Sequence, residues 1–163
     1  MSHQGERSGE LFQMKTIFDE ACVEDLRQRL STLRPDAHRQ WGKMSSAQML
    51  AHCSSGLEMA AGEIRPQRVF IGRILGPVIK PMALRDDEPM RRNSPTAKEL
   101  IVDDERDFEE ERERLSGLIN CFAVAGPSSC TTHPHAFFGS LTSDEWGVLM
   151  YKHLDHHLRQ FGA

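Results

Sequence analysis

Two short stretches restrict what this chain can fold into more than anything else in it. Ser45 is followed three residues later by Gln48, and Thr142 by Glu145. Both pairs are capping boxes, in which each side chain satisfies a backbone N–H that the first helical turn leaves without a partner. Met44 and Met49 flank the first pair, and Leu141 and Trp146 the second, at the positions of a hydrophobic staple. Helical runs follow both, the first up to Gly62 and the second to about Phe161, with Gly162 as its stop.

Two more helices are predicted from periodicity. Val23, Leu26, Leu30 and Leu33 recur at helical spacing over Asp19 to Leu33, and Pro35 ends the run. Phe108, Leu115, Leu118, Ile119 and Phe122 form an apolar stripe on a helix from about Asp103 to Cys121. Its charged run 103-DDERDFEEERER-114 is a solvated face whose acidic opening suits a helix N-terminus. Residues 63–100 link the second and third helices. Ile71, Ile74, Leu75, Val78 and Ile79 suggest a short amphipathic helix there, and residues 86–96 read as loop. Residues 1–15 read as a flexible lead-in, 35–43 as a linker, and 122–141 as irregular chain containing 133-HPHAFFGSL-141. No strand alternation emerges. The expectation is an all-α chain forming one domain over residues 1–163, a four-helix bundle with a link between its second and third helices long enough to cross the bundle.

Composition narrows the partners. At 163 residues the chain suits one domain with a real core. A net charge of −4 and no basic stripe argue against nucleic acid. The apolar stretch 69-VFIGRILGPVIKPMAL-84 is too short and too interrupted to span a membrane. Cys22, Cys53, Cys121 and Cys130 form no C-x-x-C pair, and residues 1–10 hold no apolar run, so a cytoplasmic location with free thiols is expected.

The last helix carries His153, His156 and His157. His153 and His157, four apart, share one helix face and can reach one ion, whereas His156 is rotated about 100° from His157. Leu149, Met150, Leu154 and Phe161 place the pair towards the interior. The best third ligand is His52, at mid-helix beside Ala51, Ser54, Ser55 and Gly56, whose small side chains leave room for an ion. Three imidazoles suit Zn, Ni, Fe or Mn, and open positions are the catalytic pattern. His135 is a weaker acid/base candidate, on a loop that could line a pocket. Cys53 adjoins His52, but adjacent helical residues diverge, so packing is its expected role. On the residues alone, a metal triad and polar residues packed within the core are both open.

The motifs 41-WGKMSSAQMLAH-52 and 137-FFGSLTSDEWGVLMYKHLDHHLRQFG-162 resemble the DinB/YfiT-like superfamily of metalloenzymes, most closely its DUF1569 branch. The resemblance implies a bundle with up-down-down-up order and a metal triad at His52, His153 and His157. It also implies low-molecular-weight thiols as substrates of transferases and isomerases, and a homodimer. His156 matches H-x-x-H-H variants of the motif, as an acid/base residue or a surface one. The expected function is a divalent-metal-dependent enzyme, a thiol S-transferase or a hydrolase acting on a small molecule. The alternative is a non-enzymatic bundle that uses its Val69–Leu84 stripe to bind a ligand or partner.

Overall fold

A computed structural model of the chain describes residues 14–85 and 89–163. The proposed lead-in therefore lies almost wholly outside the described residues, as do positions 86–88 of the expected loop. The described residues form five α-helices: α1 (Glu20–Thr32), α2 (Ser46–Ala61), α3 (Phe70–Ala83), α4 (Phe108–Ala125) and α5 (Ser143–Gln160). Two 3-10 turns, Lys98–Leu100 and Pro127–Ser129, interrupt the connections. No strand forms among the described residues, only an isolated antiparallel bridge between His135 and Gly139. Among those residues no helix is long and apolar enough to cross a membrane.

Both capping boxes are made. The Ser45 hydroxyl accepts from Gln48 N at 3.2 Å while Ser45 N donates to Gln48 Oε1 at 3.0 Å. Thr142 and Glu145 repeat the exchange at 3.2 and 2.8 Å. α2 ends at Gly62, whose φ of 85° is the left-handed conformation that closes a helix. α4 starts five residues later than the charged run suggests. Asp107 caps it by accepting from Glu110 N at 2.9 Å. The carbonyl of Asp104 instead receives Gln48 Nε2 of α2 at 3.0 Å, and Asp104 also pairs with Arg106, so the first acidic residues serve the connection.

α2 packs on α4 and on α5, and α1 packs on the same two helices. The core between them is built from Leu26 and Leu30 of α1, Met49, Leu50 and Leu57 of α2, Leu115, Ile119 and Phe122 of α4, and Trp146, Leu154 and Leu158 of α5. One carboxylate enters it. Glu111 is buried but held by Arg106 at 3.2 Å and Arg114 at 3.1 Å, which supply the hydrogen bonds that burial would otherwise deny it.

α3 is the exception to the inward-facing pattern. Its apolar side chains point to solvent: Phe70 is 77% exposed and Val78 73%, with Ile71, Ile74 and Met82 beside them. The buried face consists of Gly72 and Gly76. A Cβ at Gly76 would lie 2.3 Å from the Phe137 carbonyl oxygen, and one at Gly72 would lie 2.7 Å from it. Backbone thus meets backbone, which only glycine permits. Val69 N donates to the Ala136 carbonyl at 3.1 Å, and Lys80 reaches the Ser140 carbonyl at 3.0 Å and Glu145 at 2.8 Å. These contacts strap α3 across the loop that feeds α5.

Candidate metal centre

His52 and the pair His153/His157 converge from α2 and α5. Their ring centroids form a nearly equilateral triangle of 4.9, 4.8 and 4.7 Å. One nitrogen from each lies within 4.8 Å of the other two. Two nitrogens on one ion lie at most about 4.2 Å apart, so small ring movements would close the set. His52 and His157 are buried, and His153 keeps part of its surface open to solvent.

The surrounding hydrogen bonds select the free nitrogens. His52 Nδ1 lies 2.8 Å from the Leu100 carbonyl, which only accepts, so Nδ1 carries the proton and Nε2 keeps its lone pair. His157 Nδ1 lies 2.8 Å from Gln160 Oε1. The amide orientation of Gln160 is set by its other end, since Nε2 donates to the Trp41 carbonyl at 2.8 Å. His157 therefore also presents Nε2. Metal-bound histidines are oriented in this way, by donating the second N–H to a fixed acceptor.

Three features fit a cation. His52 Nε2 and His153 Nε2 are 2.9 Å apart, a contact that an Nε2–H of neutral His153 makes as a hydrogen bond and that two nitrogens sharing one ion at right angles would also make. His153 Nδ1 is buried with no hydrogen-bond partner among the described residues, so nothing competes in holding that ring. Gly56 faces it, and a Cβ there would come within 2.9 Å of His153 Cε1, so the ring occupies space that only glycine leaves. Burial is the main force lowering all three histidine pKa values. It takes His157 to about 3, with further lowering from His52, while the Leu100 hydrogen bond partly offsets the fall at His52. All three rings are neutral at pH 7, the form a metal requires.

His156 and His135, the other two candidates, stand outside the triangle. The His156 ring packs beside Trp41 at 5.3 Å and hydrogen-bonds the Met90 backbone. His135 Nδ1 accepts from Phe137 N and Phe138 N, both at 3.1 Å, and its ring stacks on Phe138 at 4.9 Å. Burial and then Arg68 pull its pKa down to about 4. That ring organises its own loop. Cys53 is buried against Met49, its sulfur 3.7 Å from the thioether, and burial pushes its thiol pKa far up. It is a packing residue, as adjacent helical geometry predicts.

Sequence reasoning singled out Gly56 as a source of space but missed Leu100 and Gln160. Gln160 was within reach of it, because a residue three after a histidine on a helix is that histidine's neighbour. The Leu100 carbonyl gave no signal, since any residue type supplies one.

A family model described as "Protein of unknown function (DUF1569)" matches residues 16–163. No curated protein and no solved structure matches the chain significantly.

Proposed function

The chain belongs to the DUF1569 family, and from its own geometry we propose that it is a divalent-metal-dependent enzyme. The observation that carries this reading is the convergence of three Nε2 atoms whose partner nitrogens are donated away or left orphaned. His52, His153 and His157 would hold the ion, Zn, Ni, Fe or Mn. Leu100 and Gln160 would keep two of the rings aimed. Bound there with open positions, the ion would supply Lewis acidity that lowers the pKa of a water or a thiol. A hydrolase or a transferase using a low-molecular-weight thiol is the reaction class this supports. A four-helix bundle of the DinB kind is part of the same proposal. The contact order α1–α4–α2–α5 supports it, as does the long link that carries α3.

The test is elemental analysis of gently purified protein beside His153→Ala. About one divalent ion per chain is expected in the wild type and almost none in the variant. A wild type without stoichiometric metal, which also fails to take up Zn, Ni, Fe or Mn on titration, would remove the basis of the proposal.

The outward face of α3 favours one further statement, about assembly. Phe70, Ile71, Ile74, Val78 and Met82 expose one continuous apolar stripe, of the kind that marks an interaction surface. A second copy, packing α3 on α3, is the occupant we propose. Light scattering should give a dimer for the wild type and a monomer for the Ile71→Ser/Ile74→Ser double variant, with metal content unchanged. A double variant that stays dimeric would assign the stripe to some other role.

A further inference from the structure

A half-open surface cavity of about 580 Å³ lies beside the end of α5. Three separate pieces of chain wall it: the linker at Trp41, the segment at Met90–Arg92, and the end of α5 with Asp155, His156 and Arg159. It is not the inside of the histidine triangle, because none of His52, His153 and His157 lines it. The two borders meet where the His156 and His157 rings pack at 5.0 Å.

Its walls are already ordered. The Arg92 guanidinium lies over the Trp41 ring, 4.1 Å from the centroid. His156 packs on Trp41 and hydrogen-bonds the Met90 backbone, tying the loop to the helix. Gln40 N donates to the Gln160 carbonyl at 2.8 Å, and Gln160 Nε2 bonds the Trp41 carbonyl, so the linker cannot swing away freely. Among the described residues that line it, arginines outnumber side-chain carboxylates. Asp155 is claimed by Arg29 at 2.8 Å and Arg159 at 2.9 Å, whereas Arg91 and Arg92 pair with no carboxylate among the described residues. A guanidinium fixed on an aromatic face, beside an apolar wall of Trp41 and Met90, recognises an anion carried on an apolar body.

We propose that this cavity binds a small organic anion, with its carboxylate on Arg91 and Arg92 and its apolar part against Trp41 and Met90. The site does not depend on the metal. Arg92 reads charge, Trp41 reads the flat or apolar body, and His156 is a positioning residue that holds the loop at Met90 in place. This gives His156 a role without making it a metal ligand.

The probes are benzoate, its neutral counterpart benzamide, and inorganic phosphate, titrated into the full chain stripped with chelator. Tryptophan fluorescence is the readout, since Trp41 is half-exposed and Trp146 is buried. Benzoate should bind with a Kd near 1 mM, about what a ligand of its size achieves. Benzamide and phosphate should each bind at least tenfold more weakly. Arg92→Gln should weaken benzoate at least tenfold with an unchanged melting curve. His52→Ala, which removes a proposed metal ligand, should leave it within twofold. Equal binding of benzoate and benzamide, or an Arg92→Gln variant that binds like wild type, overturns the assignment. Phosphate binding as tight as benzoate overturns its apolar half. Loss of benzoate binding in His52→Ala overturns the independence of the two sites. The metal analysis of the preceding section is read separately, so the two proposals can fail independently.

Discussion

Gln160→Leu is expected to lose ten- to a hundredfold in divalent-ion affinity, although Gln160 touches no ion. Its Oε1 receives the His157 Nδ1 proton, and its Nε2 satisfies the Trp41 carbonyl. Leucine fills similar space but leaves a buried N–H unpaired at one end and an unpaired carbonyl at the other. The folded protein should lose about 1–3 kcal/mol as well. Gln160→Glu separates the two effects. A carboxylate still accepts from His157 Nδ1, and more strongly, but it cannot donate to Trp41. Competition titration against a chromogenic chelator should therefore show Gln160→Glu binding metal at least as tightly as wild type. If both variants weaken equally, the Trp41 contact matters and the orientation of His157 does not.

The second large effect is expected at Gly76. In Gly76→Ala the new methyl would meet the Phe137 carbonyl oxygen at 2.3 Å, a backbone atom that cannot rotate aside. Overpacking of this kind costs about 1–3 kcal/mol, and here it falls on the single face that joins α3 to the rest. α3 should lift from the 136–140 loop before the core melts. Hydrogen exchange should show faster amide exchange within Phe70–Ala83 and at Val69, whose N–H bonds Ala136. The helices α2 and α5 should keep their protection. Uniform loss of protection across all helices would mean that α3 is part of the core unit after all.

These two positions mark where the sequence was legible and where it was not. The capping boxes at Ser45 and Thr142 are local, four-residue devices, and local devices survive intact into the fold. The histidine convergence was legible as well. An i, i+4 pair needs only helix geometry, and small residues around His52 mark space. The outward turn of α3 was hidden because its apolar stripe resembles any core-facing stripe. The better indication was Gly72 and Gly76, four apart and so on one face, where close approach matters more than hydrophobicity. The start of α4 was misplaced because propensity favours helix through Asp103–Arg106 as readily as through Glu109–Arg114. The Asp107 cap and the distant contact of Gln48 with Asp104 decide against it. The orienting carbonyl of Leu100 was invisible for a different reason, since a backbone acceptor carries no residue code.

The triad spans an interval of 101 residues between His52 and His153. During synthesis, His52 emerges long before its two companions. Until α5 is made and packed, the chain offers the ion a single imidazole, no better than any surface histidine. On the proposed reading, metal capture would wait for α5 to pack on α2, and a bound ion would favour that packed state over any without it. A ribosome-stalled or truncated chain lacking α5 would pass through a metal-rich cell without retaining any. Occupancy of the site would then report that α5 has packed on α2, before any chemistry begins.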